Sequence, residues 1–180
     1  MARTDRLQTG LIRTMLPPGA SRRGDRSMDK TELDEQNAAT AHLLVFGGYL
    51  PFLVLTLFFL FPDIAPLTRS GSLIMLIGYG AVILSFLGGI RWGFATARND
   101  QASARELLTS VVPSLIAWMC LTLPSAPALF LLAVTFVWHF FWDRRHAERH
   151  DLPAWFLPLR LRVTVAVAPT LLIAAIAVLL

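Results

Sequence analysis

The chain has 180 residues, of which 55% are hydrophobic and only 16% are charged. A soluble domain carries about 25% charged residues, so this composition excludes an ordinary soluble protein of this size. The net charge of +4 does not indicate nucleic-acid binding, because the basic residues flank apolar segments, where they contact anionic lipid headgroups. The single cysteine, Cys120, excludes an internal disulfide framework and a cysteine-rich metal site.

Residues 1–42 are predicted to form a polar, Arg-rich tail that is disordered. No apolar stretch of the kind found in secretory signal peptides occurs in it. A short basic amphipathic helix over residues 7–16, lying on a membrane surface or serving as a mitochondrial presequence, is the alternative. Met28 is a second candidate start of translation, which the sequence does not distinguish from Met1.

Five apolar runs follow and make residues 43–180 the membrane domain. Hydrocarbon offers no partner for backbone polar groups, so the runs predict an all-α, polytopic bundle of five transmembrane helices. The third and fourth runs are short for the roughly 20 residues that a bilayer requires, and we interpret them as a hairpin. The predicted spans are about 43–61, 72–97, 107–123, 128–142 and 163–180.

The distribution of basic residues predicts the orientation of the bundle. Fifteen of the sixteen Lys and Arg residues fall on one side of the five-span arrangement, and Arg69 is the exception. Basic residues in short loops remain on the cytoplasmic side, so we expect a cytoplasmic N-terminus and a C-terminus outside. A four-span alternative, with the third and fourth runs as a re-entrant hairpin, leaves the 143–162 loop on the same side.

Small residues recur at helical spacing along the second span. In lipid, where no hydrophobic force drives helices together, small side chains permit close approach of two backbones. We interpret them as helix-packing positions; the alternative is a groove for a ligand or partner helix. They are Gly78, Ala81, Ser85, Gly88, Gly89 and Gly93.

Arg91 interrupts the second span near its cytoplasmic end. A charge within an apolar run is costly unless it is paired, hydrated or able to reach the interface. Asp143 and Glu106, at the corresponding ends of the fourth and third spans, are the candidate partners. The three residues therefore predict either an ion pair between helix ends or a polar site at the membrane surface.

Three histidines and a carboxylate follow one another at steps of four, three and four residues. If the fourth helix continues past Trp142, they share one helical stripe and present side chains that divalent metals accept. Solvated histidines and helix–helix hydrogen bonds are the simpler interpretation. The stripe consists of His139, Asp143, His146 and His150.

The segment before the fifth span mixes aromatic, apolar and basic residues. Trp at the headgroup level with Arg beside it is typical of an interfacial anchor, and a docking surface for a partner complex is the alternative. With the tryptophans at the ends of the second and fourth spans, the predicted interfacial residues are Trp92, Trp142, Trp155, Arg160 and Arg162.

Three stretches carry a resemblance to a known family: YGAVILSFLGGIRWG at 79–93, PSLIAW at 113–118 and WFLPLRLR at 155–162. Together they resemble the domain of unknown function 3429 family, the transmembrane protein 69-like proteins, over roughly residues 45–175. The resemblance implies a small multi-pass protein of the bacterial inner membrane or, in eukaryotes, of mitochondria. It implies no activity, cofactor or catalytic residue.

The sequence contains no nucleotide-binding motif, no nucleophile elbow and no facing carboxylate pair, so we assign neither catalytic residues nor a cofactor. We expect a non-enzymatic accessory or assembly-type protein of a larger membrane complex. The alternatives are a small-solute transporter or channel that acts as an oligomer, and a metal- or quinone-linked membrane enzyme. The expected location is the bacterial inner (plasma) membrane, with the mitochondrial inner membrane as the alternative.

Overall fold

The structure, a computed structural model, describes residues 20–97, 104–147 and 153–180, with side chains from residue 36 onward except that of His146. Throughout these ranges the secondary structure is helical and contains no strand. A 3-10 helix, Pro62–Ile64, follows the first α-helix. The α-helices are α1 (Ala20–Leu60), α2 (Arg69–Thr96), α3 (Ala104–Cys120), α4 (Ser125–Ala147) and α5 (Phe156–Leu179).

Four of the helices that the structure describes are long and apolar enough to cross a membrane, which confirms an all-helical membrane bundle. The helix in the third predicted span, α3, has 17 residues and is shorter than the roughly 20 that a bilayer requires. The candidate spans are Gln36–Leu60, Arg69–Thr96, Ser125–Arg145 and Phe156–Leu179.

The first helix begins earlier than the sequence predicts. It begins at Ala20, inside the segment expected to be a disordered tail, and it contains many good helix formers such as Lys, Glu, Gln and Ala between residues 28 and 42. The chain divides into two units between His42 and Leu43, the position at which the sequence places the start of the membrane domain. The amphipathic-helix alternative for residues 7–16 lies outside the described residues.

Large apolar side chains from several helices meet in the core of the membrane domain. Phe52 of α1 contacts the rings of Tyr79 and Phe136 edge-on, with centroid distances of 4.9 and 6.1 Å. Leu132 of α4 and Leu171 of α5 are fully buried in the same cluster. Ala117 and Cys120 of α3 belong to the same cluster, so the core joins all five α-helices.

Hydroxyl groups add hydrogen bonds between the helices. Pro51 has no N–H to offer the carbonyl of Gly47, one turn earlier in α1. The Tyr79 hydroxyl of α2 donates to the adjacent Gly48 carbonyl at 2.8 Å. Tyr49 bonds Thr170 of α5 at 3.0 Å through their hydroxyls. These bonds place polar side chains of α2 and α5 against the part of α1 that its proline interrupts.

The remaining contacts bring helix ends together. Thr68 caps α2 by accepting a hydrogen bond from the Gly71 N–H at 3.1 Å. A four-residue turn joins α3 to α4, and α3 packs against both α2 and α4. Helix α5 packs along α4 after the connection that follows Ala147. As a result, the C-terminal ends of α2 and α4 and the N-terminal end of α5 lie at one end of the bundle.

Candidate functional site

Four ionisable side chains meet at this end of the bundle, and we call them the ion cluster: Arg91, His139, Asp143 and Arg160. Arg91 comes from α2, His139 and Asp143 come from α4, and Arg160 comes from α5. None is more than 8% exposed. Charged side chains this deeply buried are stable only when they are paired or hydrogen-bonded, so each contact within the cluster matters.

The contact between Arg160 and Asp143 is the closest in the cluster. The Nε–H of Arg160 donates to Oδ2 of Asp143 at 2.7 Å, a distance typical of a charge-assisted hydrogen bond. Arg160 lies in the first turns of α5 and Asp143 lies in the last turns of α4. This bond ties the end of α4 to the start of α5.

His139 lies one turn before Asp143 on α4, and its Nδ1 has two competing contacts. It is 3.2 Å from Oδ2 of Asp143 and 3.1 Å from Nη2 of Arg160. An arginine only donates, so the Arg160 bond requires an Nδ1 without a proton, whereas the Asp143 bond requires Nδ1–H. A neutral imidazole therefore makes one of these bonds at a time. Its Nε2 is buried and has no hydrogen-bond partner among the residues that the structure describes.

Arg91 is held less tightly than Arg160. Its Nη1 lies 3.9 Å from Oδ1 of Asp143, close enough for attraction but beyond a hydrogen bond. Its guanidinium sits over the Trp142 ring at 4.3 Å from the centroid, a cation–π contact. Nη1 is buried and has no hydrogen-bond acceptor within the described ranges. Arg91 thus contributes a buried positive group with one unmatched donor.

A small cavity opens beside Arg91. Its volume is about 10 Å³, which is room for about one water-sized group. Arg91, Asp143 and Arg160 form its charged side, and Phe94 and Phe156, whose rings meet edge-on at 6.0 Å, lie on its apolar side. The cavity therefore combines two guanidinium groups with aromatic walls.

The structure places the other predicted polar-site and metal residues as follows. Glu106, at the start of α3, is close enough to attract Arg91 electrostatically. The side chain of His146 and the whole of His150 lie outside the described residues. No group of three His, Cys, Asp or Glu side chains is arranged to hold a metal ion in the part of the chain that the structure describes. His139 and Asp143 are in contact with each other and with an arginine.

The small residues of α2 divide between two faces of the helix. Ala81 and Gly88 are buried, and a Cβ added at Gly88 would lie only 2.6 Å from the Ser110 carbonyl oxygen of α3. By contrast, a Cβ added at Gly78, Gly89 or Gly93 would meet nothing within 4 Å.

The outward small residues follow one line along α2. At 100° per residue, Gly78, Ser85, Gly89 and Gly93 lie within an arc of about 80° around the helix axis. Ser85 is half-buried, and Gly89 and Gly93 are exposed at intervals of four residues. We call these residues the outer glycine face: Gly78, Ser85, Gly89 and Gly93.

The predicted interfacial residues have different surroundings. Trp92 is 47% exposed, and Arg162 is exposed as well. Trp142 stacks against the guanidinium of Arg91, and Trp155 is half-buried against Phe156. Arg160 is not a lipid contact, because it is 5% exposed and bonded to Asp143.

Sequence reasoning missed Arg160 and His139 as partners of Asp143. A usable signal is present nonetheless: a short connection forces α4 and α5 to run antiparallel, so residues close to its two ends face each other. The spacing of four residues between His139 and Asp143 is a second signal, because it places both side chains on one face of α4. Neither signal distinguishes Arg160 from Arg162 as the inward residue.

Comparison with known proteins supports the family resemblance. The family model described as "Protein of unknown function (DUF3429)" matches residues 37–176. Transmembrane protein 69 of Xenopus tropicalis is 38% identical over 95 residues, which is 49% of this chain and 36% of that protein. The chain therefore aligns with about a third of the length of this relative. No solved structure matches.

Proposed function

The chain belongs to the DUF3429 family of proteins of unknown function, and from that premise we propose that it is a non-enzymatic accessory protein that docks on a larger membrane complex. The observation that supports this proposal is the outer glycine face of α2. A membrane helix that faces only lipid has no use for a line of small residues. A second helix can approach such a line closely, because no side chain holds the two backbones apart.

The occupant that we propose for this face is a transmembrane helix of the partner complex. Gly89 and Gly93 lie one above the other on the exposed side, with Ser85 one turn earlier. This small-xxx-small spacing suits a right-handed helix crossing, in which van der Waals contact and the Ser85 hydroxyl stabilise the pair. The inward residues Ala81 and Gly88 are already used in packing within the chain.

We further propose a topology of five crossings, with a cytoplasmic N-terminus and the C-terminus outside. Helix α3 is about 25 Å long, so together with the turn at residues 121–124 it approaches the roughly 30 Å of the hydrocarbon core. Its ends lie beside the ends of α2 and α4, both of which are long enough to cross. Five crossings also leave Arg69 as the basic residue on the outside.

The topology has a direct test with reporters at the two ends of the chain. A fluorescent protein that matures only in the cytoplasm is fused to the N-terminus in one version and to the C-terminus in another. We expect fluorescence from the N-terminal fusion alone. Fluorescence from both fusions, at equal membrane levels, would instead require an even number of crossings and refute the proposal.

The membrane that we propose is the bacterial inner (plasma) membrane, and the alternative is the mitochondrial inner membrane. Both bilayers carry anionic lipid, which the basic loops around Arg144 and Arg162 would contact on the cytoplasmic or matrix side. Fractionation of cells that express a tagged chain shows which membrane contains the protein.

The accessory role is tested by extraction in mild detergent, followed by native gel electrophoresis and mass spectrometry. We expect a tagged chain to migrate with a heavy partner. The Gly89→Leu/Gly93→Leu variant should abolish this association, because leucine at both positions holds a second helix away. The matched control is Gly47→Leu, since this position on α1 also has open space for a side chain.

The outcomes separate the candidate functions. Loss of the heavy species in Gly89→Leu/Gly93→Leu but not in Gly47→Leu supports docking through α2. Migration of the wild-type chain as a free monomer or homo-oligomer counts against an accessory role. That result would favour the transporter alternative, in which Arg91 contacts the solute.

A further inference from the structure

We propose that the cavity beside Arg91 and Arg160 binds one oxygen of a phosphate-type oxyanion, supplied by a phospholipid headgroup or by free phosphate. This inference does not depend on the docking role of α2. It rests on three observations: a buried cationic donor without an acceptor, a cavity lined by the same arginine, and a second arginine on the wall of that cavity.

The first observation is the state of Arg91. This side chain is 8% exposed, and its Nη1 is buried with no acceptor among the residues that the structure describes. A buried donor without an acceptor is costly, so an acceptor placed here is bound favourably. Asp143 and Glu106 attract Arg91 electrostatically, but Oδ1 of Asp143 remains 3.9 Å from Nη1. The nearby carboxylate therefore leaves the donor itself unmatched.

The second observation is the fit between the cavity and a single oxygen. With a volume of about 10 Å³, the cavity admits one water-sized group and no complete phosphate. An oxygen of the headgroup can enter while the rest of the phosphate stays at the mouth. Phe94 and Phe156 surround the charged groups with apolar surface, which suits a phosphate that is attached to acyl chains.

The third observation is the pairing of two arginines on one wall. Arg160 is held by Asp143 through its Nε, and its Nη2 lies 3.1 Å from Nδ1 of His139, so its guanidinium is fixed in orientation. Trp142 lies against one face of the Arg91 guanidinium, with its ring centroid 4.3 Å from Cζ, and Arg91 also lines the cavity. Guanidinium groups bind phosphate oxygens through just such edges, with charge-assisted hydrogen bonds.

The experiment measures how ligands protect the full-length protein in a neutral maltoside detergent. The probes are dihexanoyl phosphatidylglycerol, inorganic phosphate and dihexanoylglycerol, which lacks the phosphate. Stabilisation against thermal unfolding, followed over a range of probe concentrations, gives an apparent dissociation constant for each. We expect phosphatidylglycerol to protect the protein and dihexanoylglycerol to have no effect.

Variants locate the binding site. Arg91→Gln should raise the apparent dissociation constant for phosphatidylglycerol at least about tenfold, because it removes a charge-assisted hydrogen bond. Arg69→Gln is the matched control, because Arg69 is an exposed arginine at the other end of α2 that packs over the Phe59 ring. Phe94→Trp fills the cavity without changing any charge, and it provides the test if Arg91→Gln does not fold.

The comparison of the three probes identifies the source of the oxyanion. Protection by phosphatidylglycerol alone identifies a phospholipid headgroup, and equal protection by inorganic phosphate identifies a free oxyanion. If neither probe protects the wild-type protein, the proposal is wrong and the cavity holds water. It is equally wrong if protection is the same in Arg69→Gln, Arg91→Gln and Phe94→Trp, because binding is then a property of the basic surface.

Discussion

Replacing Gly88 with alanine is expected to destabilise the bundle, whereas the same change at Gly89 is not. The added methyl group at Gly88 would lie 2.6 Å from the Ser110 carbonyl oxygen, and ordinary contacts begin at 3.4 Å. Helices α2 and α3 must therefore separate locally by about 0.8 Å. Strain of this kind in a packed interior costs about 1–3 kcal/mol.

The Gly89→Ala variant corrects for the difference in helix propensity between alanine and glycine. Alanine is favoured over glycine within a helix by about 0.5–1 kcal/mol, and both variants receive this gain. At Gly89 the new methyl group meets nothing within 4 Å, so only the gain remains. The difference between the two variants isolates the clash, and we expect it to be about 1–3 kcal/mol.

The one cysteine of the chain provides the assay. Cys120 is fully buried at the end of α3, so a fluorogenic maleimide reacts with it only when the structure opens. We expect the Gly88→Ala protein to be labelled roughly 5 to 150 times faster than the Gly89→Ala protein in the same detergent. Equal labelling rates would show that α2 and α3 do not pack as closely as described.

Two further predictions concern polar contacts. Asp143→Ala leaves Arg91 and Arg160 buried without their shared carboxylate, so the free energy of unfolding should fall by about 3–5 kcal/mol, as measured by thermal or denaturant unfolding. Asp63→Ala, at an exposed position, is the control, and an equal loss in both would argue against a buried ion cluster. Tyr79→Phe removes the hydrogen bond to the Gly48 carbonyl and should cost about 0.5–1.5 kcal/mol in the same measurement; an unchanged stability would mean that this bond is replaced by another.

The architecture was predictable because the bilayer restricts the choices. Apolar runs must become helices in hydrocarbon, and four of the predicted spans correspond to helices long enough to cross. The extension of α1 back to Ala20 was not predicted, because polarity alone does not distinguish a disordered segment from a solvated helix. The 17 residues of α3 lie at the length where composition no longer decides whether a helix crosses.

The candidate site was predictable only in part. Arg91 and Asp143 stand out because they are charges within or beside apolar runs. Arg160 does not stand out, because the segment around it alternates leucine and arginine and resembles an interfacial anchor. Which arginine turns inward depends on how α5 is rotated against α4, and that rotation is determined by packing rather than by local sequence. The same limit applies to Gly88 and Gly89, which are adjacent in sequence and about 100° apart around α2, so that only Gly88 meets α3.

The ion cluster also has a consequence for biosynthesis. Arg91 is translated and inserted before α4 exists, and Asp143 emerges before Arg160 can donate to it. Asp143 therefore lacks its closest partner until α5 arrives, and before α4 forms, the long side chain of Arg91 can reach the headgroup level. The last helix completes the ion cluster, so Asp143 receives its charge-assisted hydrogen bond only after translation has reached α5.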